Sequence, residues 1–509
     1  MYTKLLSSCL QGIDGKIIEV EVDLSNGLPA FHIVGLPDSA VRESIERVRA
    51  AIKNCGFNFP LQRITINLAP ADLRKEGSSF DLAIALGILN ASLQLNLNDL
   101  SHTLIIGELA LDGSLRPVPG VLPMVDYAMK QGISRIILPY DNASEAALIS
   151  HCEIISISHI NDLKGKHYPI YVQNHNEAIS QPKSSFDNED FSDVKGQEQA
   201  KRALMISAAG MHNILLIGPP GSGKTMLMKR ITSILPQLSD EEALEVTKIY
   251  SVTNKVKTIQ ELMKTRPLRS PHHTISQAGL IGGGSIPRPG EVSLAHRGVL
   301  YLDEFPEFPR HVLEVLRQPL EEREVTISRT KAVCNFPSQF ILAASMNPCP
   351  CGYLGGEDNA NTCKCSVNKI NQYRSKISGP LLDRIDLHVE VQRVDYQMIT
   401  SSLKQMSSTE MKERVQSAQK IQQQRYINKG IHFNGEAYGS MINEFCTLNT
   451  EIKQILHASF EALGLSARAF DRIRKTARTI ADLDEKKDIN SEHIAEAIQY
   501  RTLDRKFII

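Results

Sequence analysis

Tryptophan is absent from the 509 residues, and aromatic residues make up only 6% of them. No run of about 18 apolar residues occurs, so no membrane-spanning helix and no membrane partner are expected. The opening MYTKLLSSCLQGIDGK carries an apolar stretch too short and too polar for a signal peptide, and a cytoplasmic location is expected. Neither sign of charge is in excess, with 57 Lys and Arg against 57 Asp and Glu. Whole-molecule charge therefore gives no argument for a nucleic-acid or membrane partner, and any basic surface has to be local. A disulfide framework is not expected either. Four of the nine cysteines crowd between Cys349 and Cys365, and clustering in a long chain of this kind favours metal or thiol chemistry.

What is present is ordinary for folded domains: 42% hydrophobic and 22% charged residues, in a chain long enough for about three domains. Residues 1–170 read as a β-rich α+β domain. Alternation over Lys16–Val34 around a Ser-Asn-Gly turn predicts a β-hairpin, SAVRESIERVRAAIKNCGF has helical spacing, RITINLAPAD is a strand and SFDLAIALGILNAS an apolar helix. Residues 171–192 are polar and read as a linker. Residues 193–395 alternate short apolar strands with helices, the pattern of an α/β core whose parallel sheet is covered on both faces. Residues 396–509 read as a helical lid. No internal repeat is found.

Gly218-Pro219-Pro220-Gly221-Ser222-Gly223-Lys224-Thr225 fits G-x-x-x-x-G-K-[ST], follows an apolar strand and opens a helix, the context of a phosphate-binding loop. Its backbone N–H groups converge on phosphate oxygens, Lys224 reaches the β/γ-phosphates and the Thr225 hydroxyl ligates Mg²⁺. The strand GVLYLDE delivers Asp303 to help hold Mg²⁺ and Glu304 to polarise the attacking water; two acids at a strand end are also often merely solvated. QFILAASMN brings Asn347 to the same edge, to orient water or sense the γ-phosphate, or simply to begin a turn before Pro348.

VKGQEQAKRAL, LDE, SMN and GPLLDRIDLHVEV together resemble the AAA+ ATPases, in the branch containing the magnesium-chelatase motor subunit. RPLRSPHHTISQAGLIGGGSIPRPGEVSLAHRGVLYLDE and the N-terminal domain narrow the resemblance to the ComM (YifB-like) group. It implies that Arg384 is an arginine finger for the neighbouring subunit and Arg468 a lid arginine, with Val194 and Gln197 lining the adenine. A local ion pair of Arg384 with Asp383 or Asp386, and Arg472 in place of Arg468, remain alternatives. A guanidinium acting in trans would stabilise transition-state charge and link hydrolysis to assembly. The N-terminal domain resembles the Lon protease fold. Ser79 falls at its serine position, but Leu122 occupies the lysine position, so no proteolysis is expected.

EREVTISRTKAVCNF predicts a hairpin with Arg329 and Lys331 at its tip, suited to touching DNA phosphates, though a solvated turn has the same pattern. The glycine- and proline-rich insertion Ser276–Gly290 suits a moving loop or a passive connection. His272 and His273 read as packing residues, because neighbours on a regular strand face opposite ways. Cys349, Cys351, Cys363 and Cys365 supply four thiolates for a structural Zn²⁺, with unligated thiols as the alternative. The resemblance implies a ring-shaped ATPase, a hexamer of this chain using ATP and Mg²⁺, that migrates DNA branches during natural transformation. A protein-remodelling motor of the chelatase or unfoldase type is the rival reading.

Overall fold

The structure is a computed structural model. It describes all residues except 97–101, 166–167, 173–188, 254–258, 285–286, 330–331, 356–361, 395–396, 399–404, 464 and 502–509. The chain forms two compact units. Met1–Ile179 with Asp240–Met263 make the first, and Ser180–Ser239 with Lys264–Ile509 the second.

The first unit contains β1 (Tyr2–Gln11), β2 (Asp14–Ser25), β3 (Ala30–Val34), β4 (Arg63–Ala69), β5 (Thr103–Ile105), β6 (Glu108–Leu109), β7 (Leu115–Arg116), β8 (Arg135–Pro139) and β9 (Glu153–Ile157). Seven of them form one sheet in the order β3-β4-β2-β1-β5-β8-β9, while β6 and β7 pair separately. Strict alternation in β2 buries Ile18, Val20, Val22 and Leu24 on one face, as a half-buried strand requires. The hairpin expected over Lys16–Val34 does not form. β2 pairs antiparallel with β1 and β4, and β3 pairs with β4 alone, in parallel. The physical reason lies in β4, whose Ile64, Ile66 and Leu68 are at most 1% exposed. A strand with three such residues gains more from the central position than β3, which has no fully buried residue and sits at the edge. The helix Asp240–Thr253 also belongs to this unit: its Lys248 pairs with Asp126 and its Ser251 hydroxyl donates to Glu145.

The second unit contains β10 (Ile214–Ile217), β11 (Leu268–Arg269), β12 (Gly282–Gly283), β13 (Arg288–Pro289), β14 (Val299–Leu302), β15 (Glu324–Arg329), β16 (Ala332–Pro337), β17 (Ile341–Met346) and β18 (Leu387–Glu390). Five of them make a wholly parallel sheet, β11-β14-β17-β10-β18. β10, β14 and β17 are buried at every residue, which is why they read as continuous apolar runs rather than alternations.

The C-terminal part is helical: Ser408–Arg425, Thr450–Leu463, Ala467–Leu483 and Ser491–Gln499. The first opens on a capping box, Ser407 with Glu410. Buried Gln419 and Gln422 on that helix donate to the carbonyls of Ala208 (2.9 Å) and Ala209 (3.1 Å). They thereby satisfy acceptors that the end of helix Glu198–Gly210 would otherwise leave bare. One apolar core runs from β10 and β17 into these helices. Among the described residues no helix is long and apolar enough to cross a membrane.

Candidate functional site

β10 runs between β17 and β18, so the loop that follows it emerges in the middle of the sheet's carboxyl edge, where ligands of open α/β sheets bind. Gly218 opens the loop because a Cβ there would lie 2.2 Å from the Val391 carbonyl oxygen. Lys224 begins the next helix, Lys224–Lys229, and turns its ammonium back into the loop. Its Nζ donates to the carbonyls of Gly218 (2.7 Å) and Pro219 (2.8 Å) and to Asn347 Oδ1 (3.2 Å). Burial pushes Lys224 below the usual lysine range, with Asp303 opposing the shift.

Thr225 Oγ1 donates to Asp303 Oδ2 at 3.0 Å. Ser345 Oγ donates to the other carboxylate oxygen, and the Tyr301 hydroxyl lies 3.3 Å from Ser345 Oγ. Burial alone would raise the Asp303 carboxyl. The hydrogen bonds from Ser345, Tyr301 and Thr225 outweigh it and hold the group below the usual carboxylate range. Ser345 and Tyr301 were not singled out from sequence. Each lies two residues before a site residue, Asn347 or Asp303, that follows the end of its strand, and the two-residue period was the sequence signal that could have pointed to it. Gln197 Nε2 donates to the Ser222 carbonyl (3.3 Å) and the Gln392 carbonyl (2.6 Å), and Val194 is buried at the start of the same segment.

These residues fit Mg²⁺-nucleotide. Ser222 Oγ is buried in the loop without a hydrogen-bond partner, the Lys224 ammonium is held by carbonyls that a phosphate would replace, and Thr225 and Asp303 present paired oxygens for a hard cation. Glu304 stands beside them with its side chain 59% exposed, its backbone at φ 52° and its carboxylate 3.7 Å from His273 Nδ1.

Arg384 and Arg468 lie elsewhere. Leu387 pairs with Ile214 and Glu390 with Ile217, so Arg384 precedes the strands at the edge opposite the loop, about 10 Å or more along the sheet. Arg384 is 5% exposed, and its guanidinium donates to the Glu321 carboxylate and the Pro380 carbonyl. Arg468 reaches the same Glu321 oxygen at 3.5 Å. Asp386 is taken by Arg472 and His212, and Asp383 faces Arg501 at 3.9 Å. Neither acid proposed as a local partner of Arg384 therefore holds it.

The four cysteines converge. Cys349, Cys351 and Cys363 Sγ atoms lie 3.3, 3.7 and 3.6 Å apart, and all four sulfurs fall within 4.8 Å of one another. A tetrahedral ion with Zn–S bonds of about 2.3 Å spaces its sulfurs about 3.8 Å apart, so the set fits such an ion. A hydrogen bond from the Tyr353 N–H leads the effects that bring Cys351 down to about 6, while Cys363 is pushed up to about 12 and Cys365 is raised, so that one of the four crowded thiols ionises ahead of the others. This loop abuts the phosphate loop, since a Cβ on Gly352 would lie 2.5 Å from Pro220 Cδ.

The hairpin over EREVTISRTKAVCNF is formed by β15 and β16, with Arg329 opposite Ala332. Lys331 and the Arg329 side chain lie outside the described residues. In the insertion, Gly282 and Gly283 pair with Pro289 and Arg288. His272 and His273 sit in a turn rather than on a strand, with ring centroids 4.0 Å apart, so the opposite-face argument does not apply to them.

Three family descriptions match the chain: "Magnesium chelatase, subunit ChlI" over residues 190–399, "Subunit ChlI of Mg-chelatase" over 20–142, and the ChlI C-terminal region over 405–501. The YifB protein of Escherichia coli is 44% identical, covering 98% of this chain and 96% of its own. "Competence protein ComM" of Haemophilus influenzae is 42% identical, covering 98% and 97%. The magnesium-chelatase 38 kDa subunit of Rhodobacter capsulatus is 26% identical over 31% of this chain and half of its own. With its phosphate loop, its Thr225–Asp303 pair and a wholly parallel sheet, the chain belongs to the ChlI-like AAA+ ATPases, among the YifB and ComM proteins.

Proposed function

We propose that this chain is a cytoplasmic ATP-driven motor, a hexameric ring that moves along DNA and migrates branches, promoting integration of incoming DNA in natural transformation. The observation that carries the reading is a complete nucleotide site, Lys224 with Asn347 and Thr225 with Asp303, in a chain similar over its whole length to a competence protein.

Bound Mg²⁺-ATP supplies the phosphoanhydride whose cleavage drives the motor. Gly218, Pro219, Pro220, Gly221, Ser222 and Gly223 wrap the phosphates, and Thr225 and Asp303 hold the metal. Lys224 exchanges loop carbonyls for phosphate oxygens, Glu304 takes the proton of the attacking water, and Asn347 orients that water. Arg384 acts as an arginine finger on the nucleotide of an adjacent protomer, a reading supported by its place at the sheet edge away from its own loop, and Arg468 serves as the lid arginine. Cys349, Cys351, Cys363 and Cys365 hold a structural zinc that fixes the loop packed on Pro220. Arg329 and Lys331 touch DNA phosphates without reading bases.

The test is steady-state ATP turnover with and without single-stranded, forked and four-way DNA, with Lys224→Ala as blank. Stimulation that is strongest with branched DNA is expected. Full turnover indifferent to every DNA, yet raised by a protein partner, would replace this reading with protein remodelling, to which the chelatase relatives point.

A further inference from the structure

At the amino edge of the parallel sheet, away from the phosphate loop, the second unit holds a cavity of about 410 Å³. Asn213 and Asp386, the residues just before β10 and β18, form part of its wall. On one side stand Arg323 and Ser338, tied together at the base of the β15–β16 hairpin by a bond from the Ser338 N–H to the Arg323 carbonyl (2.8 Å). On the other stand Tyr438 and, from the helix Ala467–Leu483, Arg472 and Lys475. Arg384 and Arg468 do not line it.

Three cations meet here, and only Arg472 has a counter-charge, in Asp386. Lys475 donates to the Gly435 carbonyl (2.9 Å) and Arg323 to the Glu436 carbonyl (2.9 Å), and neither forms an ion pair among the described residues. The other carboxylates of the wall are engaged elsewhere. Glu321, exposed at the rim, is held by Arg384 and Arg468, and Glu322 beside it accepts from Gln318 (2.8 Å). Glu436 accepts from the N–H groups of His432 (2.7 Å) and Phe433 (3.1 Å). Burial pushes the Lys475 ammonium down to about 8; Asp386 opposes the shift, and the guanidiniums of Arg472 and Arg323 add to it. Ser338, 1% exposed, also lines the cavity, and its hydroxyl has no hydrogen-bond partner. Charges withdrawn from water are ordinarily paired, so two cations without an anion at a cavity wall describe one half of a binding site.

We propose that this cavity binds a small phosphate monoester, with its phosphate group held by Arg323, Arg472 and Lys475. Such a group carries a charge of about −1.5 to −2 near neutral pH, which matches two uncompensated cations where a carboxylate would match one. Guanidinium forks also suit its oxygens. The phosphate alone fills a small part of the volume, and buried Phe340 with exposed Tyr438 offers apolar surface to the organic remainder. A ligand so held bridges the base of the β15–β16 hairpin and the helical part of the same protomer. The site requires neither DNA nor hydrolysis.

The experiment is equilibrium dialysis of radiolabelled glycerol 3-phosphate, and separately of inorganic phosphate, against the full chain saturated with Mg²⁺-ADP, which keeps the phosphate loop occupied. Wild type is expected to bind one equivalent of glycerol 3-phosphate, more tightly than inorganic phosphate. Lys475→Met and Arg323→Gln are each expected to weaken it by about tenfold or more. Equal affinity for the two probes would assign the site to free phosphate. No binding of either at concentrations up to about 10 mM would overturn the proposal, as would undiminished binding by Lys475→Met. Binding that appears only when ADP is left out would return the ligand to the nucleotide site and overturn it as well. Lys475→Met removes an ammonium that has no ionic partner, so its melting temperature is expected at or above that of wild type; should it fail to fold, undiminished binding by Arg323→Gln overturns the proposal in its place.

Discussion

Asp303 is surrounded by donors, and each has a separable cost. Ser345→Ala removes a hydrogen bond to a charged acceptor, worth about 1.5–3 kcal/mol, without touching the phosphate loop. ATP binding is expected to persist while kcat falls about tenfold or more, checked by nucleotide affinity alongside turnover. A second residue gives a pH test. Asp81 is buried beside Arg47 and Leu109 N–H, and burial dominates, pushing its carboxyl up to about 6. Its folded value lies above its unfolded one, so its favourable contribution is complete below about pH 4 and is lost as pH rises toward about 6. The shift corresponds to about 3 kcal/mol. The melting temperature of wild type relative to Asp81→Asn is expected to fall across that interval; a difference independent of pH would show the group ionised throughout. At this scale the phosphate loop and the acids at the end of β14 were legible, because spacing alone defines them. Ser345 and Tyr301 were not singled out, since their hydrogen bonds around Asp303 are made between strands that meet only in the fold.

Elements were legible where periodicity was strong. The apolar runs of β10, β14 and β17, the helix Ser39–Asn54 and the β15–β16 hairpin all form where the spacing predicted them. Pairing was harder to read. A turn between two alternating segments suggested that β2 and β3 meet, and only the burial of Ile64, Ile66 and Leu68 explains why β4 comes between them. The β15–β16 hairpin carries its own prediction. Arg329→Ala combined with Lys331→Ala should weaken DNA binding and flatten its dependence on salt by about two phosphate contacts, while basal ATP turnover is unchanged. A binding curve titrated with salt decides it: an unchanged slope removes the hairpin from the DNA path.

Across the whole molecule, the nucleotide loop and Arg384 occupy opposite edges of one sheet, so the proposed arginine finger can serve only the site of a neighbouring protomer. Mixing Arg384→Ala with Lys224→Ala should therefore restore turnover that neither variant shows alone, with a maximum at intermediate ratios. No recovery at any ratio would confine Arg384 to its local pair with Glu321. Sequence suggested domains in succession, and it placed residues 240–263 within the ATPase core because they fall between β10 and β11. The helix Asp240–Thr253 instead completes the N-terminal unit through Lys248–Asp126 and Ser251–Glu145. The polypeptide therefore passes between the two units three times, near residues 179, 239 and 263. Removing the leading segment alone would strand the helix Asp240–Thr253, whose Lys248 and Ser251 would lose Asp126 and Glu145.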